Sequence, residues 1–299
     1  MGRTTVFSLV LALLIAYVFM NPIGGGPGPT PTPTSSPMPS PMGNYINGVW
    51  MSAGDLSSSA LDRLATGNIR LIFLKVGEWR SDGTILYFIP YDVITNFIST
   101  VKARMPDAKV LAWVYNVPGY QQSVNLGSLS IRQTMISQTL SCVAKGFDGF
   151  NDDVEIRPSD WNHIIDYWNG QANALRAAGK MATIAISAAI YYEPNWIYTV
   201  APRVHVDYAA AMLYNNRPFY PESDFRAAMN GILTYSASPV LIGMIDYDST
   251  YTLKIQQGWV DTQINNHGAY SKLAGFALFH YAGMRDTDWT DWNSWATKN

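Results

Sequence analysis

The segment GFDGFNDDVEI, residues 146–156, gathers Asp148, Asp152, Asp153 and Glu155 into eight positions of a chain that is only 14% charged. Its glycines and phenylalanines are those of a buried strand. Alternate strand residues share a face, so Asn151, Asp153 and Glu155 align on one side while Phe150, Asp152 and Val154 align on the other. One carboxamide and two carboxylates stacked on one face would be costly as core filling. They make sense as a site in which one carboxylate raises its neighbour's pKa and keeps it protonated near neutral pH. A charged loop pairing with Arg157 is the bland alternative, and the i, i+2, i+4 spacing disfavours it.

Outward from this segment one pattern repeats. Short β-branched or aromatic runs alternate with longer 3.6-period stretches, the signature of a parallel α/β fold. The strand candidates are GVWMS (48–52), RLIFLKVG (70–77), KVLAWVYN (109–116) and GFDGFND (146–152). They continue with MATIAIS (181–187), VDYAAAMLY (206–214), PVLIGMID (239–246) and AGFALFHY (274–281). Between them lie amphipathic segments. PYDVITNFISTVKARMPDA places Pro90 in a first helical turn. SDWNHIIDYWNGQANALRAAGK opens on a Ser159 or Asp160 cap and closes at Gly179. ESDFRAAMNGILTYS, TLKIQQGWVDTQINNHG and DTDWTDWNSWATKN follow the same pattern. Eight strand–helix units make a (β/α)8 TIM barrel, and no Gly-rich phosphate turn follows the first strand, so nucleotide binding is unsupported. If GFDGFND is the fourth strand, its acidic end opens on the face where barrel enzymes keep their chemistry.

Composition narrows the partners. The net charge of -2 and the absence of a Lys/Arg-rich block argue against nucleic acid. Cys142, alone, reads as a small buried hydrophobe, and His163, His205, His267 and His280 form no zinc-ligand spacing. No metal or cofactor is implied, and a monomer is expected.

The N-terminus reads differently. Residues 1–22 carry Arg3 and then an apolar run from Val6 to Met20, a length between a signal-peptide core and a membrane span. A signal peptide and an uncleaved anchor both fit, and either exports the rest. Residues 23–43, including GGGPGPTPTPTSSPMPSPMG, form an extended Pro/Thr/Ser-rich linker. The barrel is expected over 44–299, in a secreted or extracellular protein that the N-terminal segment either anchors in the membrane or releases.

DGFNDDVE, Asp148 to Glu155, resembles the D-G-x-D-x-D-x-E signature on the fourth strand of family 18 glycoside hydrolases, the chitinases and endo-β-N-acetylglucosaminidases. Asp148, Asp153 and Glu155 fall on the first aspartate, the third aspartate and the catalytic glutamate, and Asn151 replaces the middle aspartate. MATIAIS, VDYAAAMLYN and AGFALFHYAG resemble the fifth, sixth and eighth strands, the sixth ending in Met212-x-Tyr214-Asn215. Two features depart: LAWVYNVPG stands where the third strand would carry S-x-G-G, and Phe279 where the eighth would carry tryptophan.

The resemblance implies retaining hydrolysis without an enzyme nucleophile, the substrate's 2-acetamido carbonyl attacking instead. Glu155 is then the acid/base and Asp153 orients the acetamido group. Tyr214 bonds its oxygen, and Asn215 helps hold the sugar. Asn151 is expected to hydrogen-bond Asp153, and Asp148, Met212 and His280 to complete the substrate site.

Trp50, Trp79, Trp113, Tyr115, Tyr247 and Tyr281 lie on or near strand ends, where aromatic faces serve either as sugar platforms or as packing. Trp50, Trp79, Tyr247 and Phe279 are taken as substrate-binding candidates. Trp289, Trp292 and Trp295 share a helix face expected to pack on the barrel. Lys75 is either a buried partner of the carboxylates or a solvated lysine at a strand end. Two rival functions stand: a barrel glycosidase using two enzyme carboxylates, Glu155 with Asp246 or Asp248, and a non-catalytic surface carbohydrate-binding barrel.

Overall fold

The computed structural model describes residues 45–117, 123–156, 160–187, 194–214, 222–245, 252–268 and 270–296. The expectations for residues 1–43 lie outside them.

Eight strands form the barrel. They are β1 (Ile46–Met51), β2 (Ile69–Trp79), β3 (Lys109–Asn116), β4 (Gly149–Val154), β5 (Met181–Ser187), β6 (Tyr208–Met212), β7 (Val240–Ile245) and β8 (Leu273–Phe279). Each pairs in parallel with the next, and β1 pairs with both β2 and β8, so the sheet closes into the expected (β/α)8 TIM barrel. Closure leaves no barrel strand with an unpaired edge.

The helices are α1 (Ser58–Thr66), α2 (Tyr91–Arg104), α3 (Leu129–Val143), α4 (Trp161–Ala177), α5 (Glu222–Tyr235), α6 (Leu253–His267) and α7 (Asp286–Ala296). Between β5 and β6 the described residues hold only a short π-helical turn, Trp196–Val200. Asp160, not Ser159, caps α4, accepting from the Asn162 N–H at 2.8 Å. Gly179 follows that helix at φ +67°, a conformation that glycine adopts without a Cβ penalty. Pro90 sits at the N-cap of α2 rather than inside its first turn.

β2 runs beyond the sequence expectation, to Trp79, and turns back into a short antiparallel strand, Ile85–Tyr87. Gly77 permits the hairpin, since a Cβ there would lie 2.3 Å from the Leu86 carbonyl oxygen.

Side-chain alternation divides the core in two. Inside the barrel lie Trp50, Leu71, Phe73, Leu111, Trp113, Ala185, Ala210, Met212, Leu241 and Ala277. The outward residues, among them Val49, Ile72, Val110, Phe150, Ile184 and Ile242, pack with the helices. Cys142 is buried there, as are Trp289, Trp292 and Trp295 of α7. Trp292 also donates its indole N–H to the Gly67 carbonyl at 2.9 Å, tying the last helix to the end of α1. Truncating so large a buried side chain to alanine costs about 3–5 kcal/mol.

Candidate active site

The site is built on β4. Asn151 and Asp153 point into the barrel beside Trp50 and Trp113, and Glu155 follows just past the strand's end. The Glu155 N–H donates to the Asn116 carbonyl at 3.0 Å, so the β3–β4 ladder holds its backbone.

Asn151 is fully buried and its amide is fixed. Its Oδ1 accepts from Trp50 Nε1 at 3.1 Å, and its Nδ2 donates to Thr183 Oγ1 at 2.9 Å. Thr183 in turn donates to the Phe150 carbonyl at 3.1 Å. The bond expected from Asn151 to Asp153 is therefore replaced by two lateral ones. Neighbouring strands lie about 4.8 Å away, nearer than the next same-face residue at about 6.6 Å.

Asp153 is only 4% exposed. Its Oδ2 accepts from Trp113 Nε1 at 3.0 Å, whereas Oδ1 is buried and has no hydrogen-bond partner among the described residues. Burial pushes its pKa up to about 6, and the Trp113 bond, which favours the anion, opposes that rise.

Asp152 points the opposite way, as strand parity requires, and is fully buried between β4 and the surrounding elements. Trp79 Nε1 donates to Oδ1 and Trp168 Nε1 to Oδ2, each at 2.7 Å, and the Tyr167 hydroxyl also bonds this carboxyl. Burial raises its pKa to about 7 against the pull of those three donors, with the Asp153 charge adding a smaller upward push. Trp79 is thereby corrected: it is fully buried on the outer side of the sheet and presents no face to a ligand. Its indole is the donor this outward carboxylate needs.

Aromatic rings cluster inside the barrel. Phe279 stacks on Tyr214, with centroids 5.4 Å apart and planes at 20°, and meets Trp50 and Trp113 edge-on at 5.9 and 6.0 Å. Trp50 also packs on Phe73 at 4.8 Å. Gly243 leaves room for Tyr214, whose Cε1 would lie 3.1 Å from a Cβ there. Trp50 is 1% exposed, so it serves as a floor and as a donor to Asn151, not as an open platform. Met212 packs into the same inner cluster.

His280 follows Phe279 through a cis peptide, and its Nδ1 accepts from the Ala282 N–H at 3.1 Å. Burial holds its pKa below the usual imidazole value.

Lys75 is half-buried, and among the described residues no carboxylate pairs with it. Its ammonium lies over the rings of Tyr115, Phe88 and Trp113, at 4.8, 5.5 and 5.8 Å from their centroids.

Asp148 is a second correction. It precedes β4, at the end of the strand opposite to Glu155, where Lys102 pairs with it at 2.7 Å and the Val110 N–H donates to it at 2.8 Å. There it ties strand starts together, and the length of β4 separates it from the end that leads to Glu155. Asn215, Tyr247, Asp246 and Asp248 lie outside the described residues. The structure thus brings together Asn151, Asp153, Trp50, Met212, Tyr214, Phe279 and His280, with the Glu155 backbone held just past the end of β4. It adds Trp113 and Thr183, whose inward strand parity was the available signal. Among the described residues no cluster of His, Cys, Asp or Glu is placed to share a metal ion.

No family model matches the sequence, and neither does any curated protein. Solved structures do match. The C-terminal domain of a putative chitinase from Desulfitobacterium hafniense is similar at a TM-score of 0.68 and 12% identity, over 86% of this chain and 99% of that one. A chitinase from Chromobacterium violaceum gives 0.65 and 13%, over 85% and 99%. A glycoside hydrolase family 18 N-acetylglucosaminidase from Paenibacillus barengoltzii gives 0.63 and 14%, over 84% and 100%. At such identities the likeness is one of fold.

Proposed function

We propose that the chain is an extracellular glycoside hydrolase that cleaves β-linked N-acetylglucosamine glycans with the help of the substrate's own acetamido group. Glu155 donates a proton to the glycosidic oxygen as the acetamido carbonyl oxygen attacks the anomeric carbon and the glycosidic C–O bond breaks. The leaving sugar departs with that proton. Water then opens the cyclic oxazolinium, giving its own proton to the Glu155 carboxylate, and the stereochemistry is retained. Asp153 holds the acetamido N–H and offsets the positive charge that develops on nitrogen. Tyr214 bonds the acetamido oxygen.

The observation that carries this reading is the buried Oδ1 of Asp153, without a hydrogen-bond partner among the described residues, on the face that leads to Glu155. A buried acceptor without a donor costs about 1–3 kcal/mol, and an acetamido N–H entering the barrel mouth supplies one. The aromatic cluster of Trp50, Trp113, Tyr214 and Phe279 supports it by giving that mouth an apolar wall suited to sugar C–H surfaces. The fold shared with chitinases and an N-acetylglucosaminidase supports it too. The N-terminal sequence carries the expectation of export.

The test is product analysis of the purified protein on β-linked N-acetylglucosamine oligosaccharides and on matching glucosides. Cleavage of the first alone, with retention at the anomeric carbon, is expected. Equal cleavage of the glucosides would overturn substrate assistance.

A further inference from the structure

Strand starts and helix ends share the end of the barrel opposite to Glu155, and basic side chains gather there. Lys102 and Arg104 occupy the last turn of α2, and Arg176 that of α4. Arg70 and Lys109 lie at the starts of β2 and β3, and Lys180 and Lys272 directly precede β5 and β8. The three helix-end cations have a structural account. They answer the helix dipoles, and each has an acid: Asp148 for Lys102 at 2.7 Å, Asp62 for Arg104 at 2.8 Å and Asp207 for Arg176 at 3.4 Å.

The four cations at strand starts have no such account. Lys109 reaches only the already paired Asp148, at 3.8 Å. Lys180 and Lys272 donate to the Phe147 and Ala237 carbonyls at 2.7 and 2.9 Å, which orient an ammonium without neutralising it. Arg70 is exposed, and the further acid at this end among the described residues is Asp107, also exposed. Residues 1–44, 269 and 297–299 adjoin this end in the chain and contain no aspartate or glutamate. The other segments outside the described residues follow strand ends and so join the opposite end. Nothing in the sequence that adjoins the strand starts therefore offsets their positive excess.

The chain also enters the domain at this end. Tyr45 directly precedes β1, and before it come the Pro/Thr/Ser-rich linker and the apolar run of residues 1–22. Fully extended, a linker over 23–43 spans about 65 Å. With the apolar run in a bilayer, that tether holds the strand-start end near lipid headgroups at an effective concentration of about a millimolar.

We propose that the strand-start end of the barrel is a docking surface for an anionic lipid bilayer, the one that residues 1–22 enter. Cations spread around a rim fit an extended anionic surface better than a small anion. Docking there turns the Glu155 end away from the lipid. The proposal rests on residues 1–22 acting as an anchor and is independent of the hydrolase reading.

The test uses the full chain inserted in nanodiscs of phosphatidylcholine alone or mixed equally with phosphatidylglycerol. Energy transfer to a headgroup acceptor is read from a dye at Ser271→Cys, beside Lys272, or at Ser223→Cys, in the first turn of α5 at the opposite end. Cys142 is buried and stays unlabelled. High transfer from position 271 is expected on the anionic discs alone, with low transfer from position 223 on both. Arg70→Glu together with Lys109→Glu, both exposed side chains, should lower the ratio of docked to undocked protein by about tenfold or more. Raising the salt should release the unmodified barrel, a readout that stands even if the double variant fails to fold. Equal transfer from position 271 on both lipids, or docking unmoved by salt and charge reversal, would overturn the proposal. Failure of the chain to enter either disc would remove the anchor and overturn it too. Binding of soluble poly(glycerol phosphate) with no approach to anionic lipid would overturn it in favour of a polymer partner. Glycan hydrolysis without docking would defeat this inference alone, and docking without hydrolysis would defeat only the hydrolase reading.

Discussion

Asp152 and Asp153 are consecutive residues whose carboxyls are buried on opposite faces of β4. Asp153 meets Trp113 at 3.0 Å inside the barrel, and Asp152 meets Trp79 and Trp168 at 2.7 Å behind it. Among the described residues every donor to either one is an indole or a phenol, and no lysine or arginine pairs with them. Neutral donors stabilise an anion less than a counter-ion does, so burial wins and both pKa values rise. The strand thus carries two carboxyls that titrate near neutrality, one in the site and one behind it.

Glu155→Gln should reduce kcat by about 10²–10⁴-fold, because the amide fills the same space without a proton to give. The melting temperature should move little, since Glu155 lies past the end of β4, outside the buried core. Steady-state kinetics beside a thermal melt would check both, and a wild-type rate would remove Glu155 from the mechanism.

Asp153→Asn should impair hydrolysis of N-acetylglucosaminides severely, since it removes the charge that offsets the oxazolinium. A thiazoline analogue of that cyclic intermediate should inhibit the unmodified protein more tightly than substrate binds. Inhibition constants for the two proteins report on this directly. An Asp153→Asn protein that works normally and ignores the thiazoline would exclude substrate assistance.

Trp113→Phe removes the hydrogen bond that favours the Asp153 anion while burial remains. The Asp153 pKa, now about 6, should rise, so the acid limb of kcat/KM should move to higher pH. The pH–rate profile separates this from simple loosening, which would lower the whole curve without shifting it.

Asp152 gives a stability signature. Its folded pKa of about 7 lies above the ordinary 3.8, so between those values the folded chain binds more protons than the unfolded one. Its contribution is therefore fullest below about pH 4 and is lost as pH rises through about 7. Asp152→Asn should flatten that fall in melting temperature. It should also cost about 1–3 kcal/mol where the new amide N–H faces an indole N–H. Melting curves from pH 4 to 8 test it, and an unchanged slope would show that Asp152 does not titrate in this range.

The sequence by itself determined the barrel and the faces of its fourth strand. Period-2 and period-3.6 patterns are local, and alternation alone sends Asn151 and Asp153 to one side and Asp152 to the other. It could not say what waited on each side, because a strand's partners come from elements far along the chain. Trp79 looked like a sugar platform until the fold laid its indole against Asp152, 73 residues away. Asp148 belonged to the same acidic run as Glu155, yet a strand has two ends, and lysines hold it at the other one. Asn151 is oriented by Trp50 and Thr183, from β1 and β5. Lys75 is a charge in the sequence, and only the tertiary fold sets its ammonium over the rings of Tyr115, Phe88 and Trp113. Faces follow from covalent geometry, but hydrogen-bond partners and charge environments are set by which strands and helices the closed barrel brings together.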